Sequence, residues 1–420
     1  MERVIFHVDV NSAYLSWEAV YRIQHLGAGK DLRECMAAVA GDAALRRGII
    51  LAKSIPAARC GVCTGDTVFE ARQKCPELVL VPPNYHLYET CSAALFRILR
   101  TYTEYVEPYS IDEAFLDMSS TRELWGDPIH AAEQMAGEIR ETLGFTVNIG
   151  ISSNRVLAKM ASDFTKPDRI HTLWKEEIRE KMWKLPAEKL FFVGNAARRK
   201  LYLLGIRTIG EIAAADERLL RLHLKKQGEI IWRFANGIDE SIVAAETPPN
   251  KGYGNSTTIP FDVTDEKTAN LVLLALCETL AARLRADGVS AGAAAVEMKT
   301  DNFVCSRRQK VLLERTDSTR ELYEAAVRIF RELWNGEPIR HLGVHAGKIS
   351  RAPQMHQISL FEEQDGEKQR QLDRAVDAVR ARYGMDAVKR AAFLQSPIDH
   401  MSGGISREKW KPDYRVLGLL

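Results

Sequence analysis

Six segments in the second half of the chain alternate between strand-like and helix-like patterns in the order β-α-β-β-α-β. They are Tyr253–Ile259, Lys267–Ala286, Ala293–Thr300, Ser306–Leu313, Thr319–Trp334 and His341–Ile349. This order is a split βαβ unit, and it predicts a four-stranded sheet with both helices on one face. The other face is then open, and the basic residues Arg307, Arg308 and Lys310 lie on one of its strands.

The first part of the chain also mixes strands and helices, which indicates an α+β or α/β layer domain. An apolar run over Arg3–Val8 predicts a buried strand that ends at Asp9. The stretch Val106–Met118 predicts two short strands that meet near residues 111–113. A Lys-Pro-Asp sequence at residues 166–168 breaks the pattern, and we place the end of this domain just beyond it.

Between these two parts, residues 174–237 are expected to be helical with short turns marked by glycine. A Pro-rich stretch at residues 247–252 is the best linker candidate. The chain after residue 350 is polar except for one helix at about 367–383 and a few apolar islands. A length of 420 residues predicts about three domains. The expected fold class is therefore α+β and multidomain.

Composition excludes several other classes of protein. Hydrophobic residues make up 46% and charged residues 27%, which excludes a largely disordered chain, a collagen and a small disulfide scaffold. No run approaches the ~20 apolar residues of a membrane span, and the N-terminus lacks a signal-peptide pattern, so a cytoplasmic protein is expected. The net charge is +2, so any nucleic-acid surface must come from local basic patches.

Three acidic residues are the strongest candidates for chemistry. Asp9 ends the first strand, and Asp112 and Glu113 lie where two later strands meet. Carboxylates at adjacent strand ends repel each other unless a cation or proton compensates, so the cluster predicts a Mg²⁺ site. Two such ions can clamp the attacking and leaving oxygens of a phosphoryl transfer. Acidic residues at strand ends are nevertheless common, and spacing alone favours solvated charges.

Three sequence motifs strengthen the metal interpretation. The string YSIDEAFLD, from Tyr109 to Asp117, resembles the most diagnostic motif of the Y-family translesion DNA polymerases. VDVNSAY, from Val8 to Tyr14, resembles the first metal-binding motif of that family. GISSNRVLAKMAS at residues 150–162, followed by Lys-Pro at 166–167, resembles its third conserved block. The bacterial DNA polymerase IV and ImpB/MucB/SamB (UmuC-like) group is the most similar branch.

This resemblance implies a right-hand polymerase with six segments: a palm at 1–11 and 80–172, small fingers at 12–79, a helix-hairpin-helix thumb at 173–240, a linker at 241–252, a split-βαβ little finger at 253–350, and a C-terminal tail at 351–420. It implies a low-fidelity, DNA-directed DNA polymerase, a nucleotidyltransferase that bypasses lesions in DNA repair and acts as a mutator after DNA damage. The expected substrates are primer-template DNA and deoxynucleoside triphosphates, and the enzyme is expected to be a monomer.

The same resemblance implies the catalytic residues. Asp9, Asp112 and Glu113, together with the carbonyl group of Val10, would hold two Mg²⁺ ions per active site. Tyr14 would be a steric gate whose ring collides with a ribose 2′-hydroxyl. Without the motif, Tyr14 would read as a core aromatic residue of a helix.

The nucleotide-binding residues are only partly preserved. Lys159 matches the family lysine that contacts the triphosphate. The fingers depart from the family pattern, because Ile55 and Ala58 stand where a triphosphate-binding tyrosine and arginine are common. Lys53 or Arg59 is the candidate substitute for this pair.

A second resemblance lies in the helical region. Residues 191–212 resemble a helix-hairpin-helix, whose Gly-containing turn lets backbone amides approach a phosphate without reading sequence. The DNA-binding candidates there are Gly194, Arg198, Gly205 and Arg207, and those on the little finger are Arg307, Arg308 and Lys310. Taken alone, the glycines of such a region could be simple helix caps.

The tail carries a short apolar motif. Gln357, Leu360 and Phe361 form a Q-x-x-L-F sequence between a loop-like stretch and two glutamates. An apolar pair on a polar tail suits insertion into a partner's pocket, and the motif resembles the bacterial sliding-clamp binding motif. Docking of the same pair onto the little finger is the alternative.

Other functions and sites stay open at this stage. A nucleotidyl cyclase also uses strand-end carboxylates, and a catalytically silent polymerase-derived protein would bind DNA without turnover. Cys60 and Cys63 form a lone C-x-x-C, which favours free thiols over zinc. His341 and His345 lie on a predicted strand, where their spacing does not favour a metal pair.

Overall fold

The computed structural model describes residues 3–46, 48–245, 248–351 and 365–401, apart from the side chains of 365–367. Among these, residues 3–39 and 50–245 form one compact unit, and residues 40–46, 48–49, 248–351 and 365–401 form a second. No helix in the described part of the chain is long and apolar enough to cross a membrane.

A five-stranded sheet organises the first unit, in the order β5-β6-β1-β7-β8. Its strands are β1 (Ile5–Val10), β5 (Val106–Pro108), β6 (Glu113–Asp117), β7 (Val147–Ser152) and β8 (Ile170–Thr172). The central strand β1 is antiparallel to both neighbours and fully buried, so it reads as a continuous apolar run with two polar exceptions. The strand that the sequence predicts here is confirmed, although it begins and ends two residues later than predicted.

Helices cover both faces of this sheet. They are α1 (Ala13–Leu26), α4 (Tyr85–Tyr102), α5 (Arg122–Trp125), α6 (Pro128–Leu143) and α7 (Arg155–Ser162). Phe6 and Val8 share the main apolar core with α1, α4 and α6, whereas Ile5 packs with Ala158 of α7. Because side chains alternate along a strand, α7 covers the face that carries Ile5 and Asp9.

Gly150 of β7 lets α7 approach the sheet closely. A Cβ atom at this position would lie 2.0 Å from the carbonyl oxygen of Ala158 and 2.4 Å from the amide nitrogen of Ser162. Any side chain here would push the helix away from the strand, so the glycine determines how near the residues of α7 come to the sheet.

A small sheet and two short helices follow β1 and α1. The order of the sheet is β3-β2-β4, from β2 (Ala37–Ala40), β3 (Ile50–Lys53) and β4 (Val79–Val81), with α2 (Ile55–Arg59) and α3 (Val68–Lys74) between them. Strand β4 pairs with β2 in parallel. The predicted boundary between fingers and palm at residue 80 lies within β4. Ala37 and Val39 of β2 belong to the same apolar core as β1.

The expected thumb region is helical, as the sequence predicts. Its α-helices are α8 (Asn195–Leu203), α9 (Ile209–Ala214), α10 (Glu217–Leu224) and α11 (Lys226–Ala235). They surround a separate apolar core, which also includes Val156, Leu157 and Met160 of α7. Helix α7 therefore connects the palm sheet to the helical region.

The second unit confirms the β-α-β-β-α-β prediction. Its elements are β9 (Tyr253–Val263), α12 (Glu266–Ala286), β10 (Ala291–Thr300), β11 (Cys305–Thr316), α13 (Thr319–Leu333) and β12 (Ile339–Gly347). The antiparallel sheet has the order β11-β10-β12-β9, and its apolar core lies between one face and the two helices.

The helix that the sequence predicts after residue 350 is confirmed, and it packs against α12. Helix α14 (Asp365–Tyr383) places Asp373 and Asp377 against Arg285 of α12, and Phe393 and Ile398 enter the apolar core of the second unit. These two apolar side chains and the ion pairs with Arg285 hold the segment, although its mean composition is polar. The predicted clamp-binding residues Gln357, Leu360 and Phe361 lie outside the described residues.

Candidate active site

Two strands bring the predicted acidic residues together. In the antiparallel pair of β1 and β6, Asp9 is directly opposite Glu113, and the amide of Val10 donates a 3.0 Å hydrogen bond to the carbonyl oxygen of Asp112. Directly opposite residues of such a pair have Cβ atoms about 5 Å apart. All four residues line a cleft of 480 Å³. The juxtaposition that the sequence predicts is therefore present.

Lysine side chains neutralise two of the three carboxylates. The ammonium group of Lys166 donates to Asp9, and that of Lys159 lies 2.9 Å from Oε1 of Glu113. Burial raises the pKa of Asp9, and the charge of Lys166 opposes that change. Burial also acts to raise the pKa of Glu113, but the neighbouring imidazole of His7 and the charge of Lys159 lower it to about 2. A buried anion opposite another anion requires such positive charge nearby.

The donor set fits Mg²⁺, which prefers hard oxygen ligands. Three carboxylates and the backbone of Val10 line the cleft where β1 and β6 lie side by side. Among the described residues, no three aspartate, glutamate, histidine or cysteine side chains are positioned together to hold a metal ion as they stand. Asp9 and Glu113 are bonded to lysines, and Oδ1 of Asp112 accepts a hydrogen bond from the hydroxyl of Ser110.

Tyr14 lies on the wall of the same cleft, at the start of α1. Its ring stacks on Tyr88 with centroids 4.3 Å apart and planes 11° apart, and Tyr85 meets it edge-on. The hydroxyl of Tyr88 donates a 3.0 Å hydrogen bond to the buried Glu18. The Tyr14 ring is therefore supported from behind by a fixed aromatic neighbour while it faces the cleft.

The predicted nucleotide-binding cations differ in placement. Lys53 lines the cleft and donates to the hydroxyl of Thr64, whereas Arg59 is exposed at the end of α2 and is absent from the lining. Of the two candidate substitutes in the fingers, the structure therefore favours Lys53. Lys159 is buried beside Glu113, and Lys166 is the other lysine that lines the cleft.

Comparisons with known proteins agree with this geometry. A sequence model of the impB/mucB/samB family matches residues 8–163, and a model of its C-terminal domain matches residues 250–360. DNA polymerase IV of Clostridium acetobutylicum is 41% identical over 396 residues, which cover 94% of this chain and 99% of that protein. DNA polymerase IV 2 of Bacillus subtilis is 36% identical over 401 residues, 94% of this chain and 95% of that protein.

This chain belongs to the impB/mucB/samB family. The solved structure of a Y-family DNA polymerase chimera of Dbh and Dpo4 matches it with a TM-score of 0.71 at 22% identity, covering 82% of this chain and 99% of the other. This match confirms the multidomain α+β fold class. The family models and the relatives confirm the resemblance to the DNA polymerase IV and impB/mucB/samB group that the motifs indicate.

In this impB/mucB/samB member, the thumb has the predicted hairpin. Helices α8 and α9 are joined at Gly205, whose φ of 80° is unfavourable for other residues. Gly194 precedes α8 as its N-cap, and Arg207 is exposed beside the turn. Arg198 is half-buried on α8. The predicted hairpin is therefore present, and its role in phosphate binding stays a prediction.

On the little finger, the structure separates the three basic residues that the sequence grouped. Arg308 and Lys310 are bonded to Glu332 of α13, on the helix-covered side of β11. Arg307 alternates with them and pairs in register with Glu297. Of the three, therefore, only Arg307 lies on the open face, because alternate residues of a strand point to opposite faces. DNA binding by these residues stays a prediction.

Sequence reasoning missed several residues of the site. Lys166 was used only as part of a motif, yet it bonds to Asp9, and His7 and Ser162 lie directly behind Glu113. The position of His7 two residues before Asp9 was an available signal, because residues i and i+2 of a strand share a face.

Proposed function

We propose that the chain is a translesion DNA polymerase that adds deoxynucleotides to a primer on a template. The observation that carries this function is the cross-strand pair of Asp9 and Glu113 beside Asp112, in a cleft that Tyr14 also lines, within a chain that matches curated DNA polymerase IV proteins over 94% of its length. A nucleotidyl cyclase and a silent DNA-binding protein are not favoured by these relatives.

The side chains of the cleft have distinct roles in this proposal. Asp9, Asp112, Glu113 and the carbonyl of Val10 would hold two Mg²⁺ ions, which when bound polarise the transferred phosphoryl group and neutralise its charge. Lys53 and Lys166 line the cleft and add positive charge for the triphosphate, together with the neighbouring Lys159. Tyr14 excludes a 2′-hydroxyl by its position.

Other parts of the chain would bind the duplex and a processivity partner. The α8–α9 hairpin of the thumb and the open sheet face of the little finger would contact phosphates without reading sequence. Gln357, Leu360 and Phe361 would tether the enzyme to the sliding clamp, which raises its effective concentration at the primer. The polymerase is proposed to act as a monomer.

Primer extension with Mg²⁺ tests the catalytic assignment. Replacement of Asp9, Asp112 or Glu113 by Ala should abolish nucleotide addition and leave primer-template affinity within a few fold, because binding depends on phosphate contacts elsewhere. Near-normal turnover in one of these variants would refute the metal role of that residue. Template-independent cyclic nucleotide formation would support a cyclase, and DNA binding without any extension would support the silent alternative.

A further inference from the structure

His7 lies behind the acidic cluster, on the same face of β1 as Asp9. Its ring is fully buried and packs against Phe115 with centroids 4.7 Å apart. One ring nitrogen, Nδ1, is 2.8 Å from the hydroxyl oxygen of Ser162. The other, Nε2, is 3.6 Å from Oε2 of Glu113 and has no hydrogen-bond partner among the described residues.

The chemistry of these neighbours determines the tautomer of the ring. A carboxylate only accepts hydrogen bonds, so the nitrogen that faces Glu113 carries the hydrogen, and Nδ1 is then the acceptor. The Ser162 hydroxyl is also 2.8 Å from the carbonyl oxygen of Lys159, and it can donate its hydrogen to Nδ1 instead.

Helix α7 brings both partners of Glu113 into place. Lys159 and Ser162 are three residues apart, so they lie on one face of the helix. Lys159 bonds to Oε1 of Glu113, and Ser162 orients the ring that faces Oε2. The close approach of α7 at Gly150, which is directly opposite His7 in the sheet, makes this possible. The two oxygens of one carboxylate are thus approached by two groups that a single helix orients.

We propose that His7 is a positioning residue for Glu113. A small rotation of the Glu113 side chain brings Oε2 from 3.6 Å into hydrogen-bond distance of Nε2 and satisfies a buried polar atom. The ring then fixes the direction in which the carboxylate points into the cleft. This inference rests on the proposed role of Glu113 in metal binding. Loss of a hydrogen-bond partner of a metal-binding carboxylate typically lowers metal affinity or activity by about 10- to 100-fold.

Two amide variants of His7 test the proposal as a matched pair. In His7→Gln, the amide nitrogen is as many bonds from Cβ as Nε2, so it can reach Glu113. In His7→Asn, the amide corresponds to Nδ1, so it keeps the side near Ser162 but cannot reach the carboxylate. Mn²⁺ affinity is measured by electron paramagnetic resonance on the full chain with nucleotide and a dideoxy-terminated primer-template, which prevents chemistry. Single-nucleotide kcat and KM are measured separately with an extendable primer.

His7→Asn should weaken Mn²⁺ binding and lower kcat by about 10- to 100-fold, with primer-template affinity and nucleotide KM within about threefold. His7→Gln should stay within about threefold of the wild type in all of these measurements. Equal Mn²⁺ affinity in His7→Asn and the wild type, or equal losses in both variants, would overturn the positioning role. Thermal melting by circular dichroism identifies loss of fold. If His7→Asn unfolds, Ser162→Ala replaces it as the test, and a smaller loss of Mn²⁺ affinity in that variant is then required for the proposal to stand.

Glu113→Gln, measured in parallel, separates this inference from the proposed function. If Glu113→Gln loses Mn²⁺ affinity and turnover while His7→Asn resembles the wild type, the positioning role alone is refuted. If Glu113→Gln retains both, Glu113 is not a ligand, and the site assignment and the positioning role are refuted together.

Discussion

Replacement of Gly150 by Ala tests whether the approach of α7 to the sheet supports both stability and catalysis. The added methyl group would lie 2.0 Å from the carbonyl oxygen of Ala158 and 2.4 Å from the amide of Ser162, both backbone atoms. Ordinary contacts of a Cβ begin near 3.4 Å, so the helix must move by about 1 Å or more. Overpacking of this kind costs about 1–3 kcal/mol. For a unit of this size, where 1 kcal/mol shifts Tm by roughly 2–4 °C, that lowers Tm by roughly 2–12 °C.

Gly137→Ala is the matched control, because it adds the same methyl group at a glycine of α6 that has nothing within 4 Å of its Cβ position. An alanine inside a helix is favoured over glycine by about 1 kcal/mol, so this variant should raise Tm slightly. Thermal melting by circular dichroism and single-nucleotide kcat are measured for both variants. Gly150→Ala should lower kcat at a temperature where it is folded, since movement of α7 displaces Lys159 from Glu113. Equal Tm values for the two variants, or unchanged kcat in Gly150→Ala, would refute the reasoning.

Three further predictions address substrate and partner selection. Tyr14→Ala should raise ribonucleotide incorporation by orders of magnitude and change deoxynucleotide incorporation much less; equal discrimination in single-nucleotide assays would place the gate elsewhere. Arg307→Ala should weaken primer-template binding and reduce the slope of log K against log salt by about one, whereas Arg308→Ala, on the helix-covered side, should leave both near the wild-type values in fluorescence anisotropy. Replacement of Leu360 and Phe361 by Ala should leave clamp-free primer extension intact and remove stimulation by the clamp, and loss of clamp-free activity would instead indicate a structural role.

Local patterns in the sequence were sufficient for the element order and for the acidic residues. The period-two and period-3.6 patterns of residues 253–349 predict the four strands and two helices of the second unit, and the structure confirms them. Asp9 and Glu113 could be expected to meet because each stands at the end of an apolar strand. These features depend on the few residues around each position, which is why a linear pattern reveals them.

The partners of those residues depend on pairing between distant parts of the chain. Lys166 meets Asp9 across 157 positions, and Glu332 holds Arg308 and Lys310 on the opposite face from Arg307. Each such contact follows from strand register and from which helix covers which face, and a shift of one residue would reverse the faces. The close packing of α7 at Gly150 also depends on the tertiary structure, because the need for glycine there is evident only when the position of the α7 backbone is known. Periodicity therefore identified the carboxylates, whereas the lysines and the histidine that surround them depend on the assembled sheet and helix.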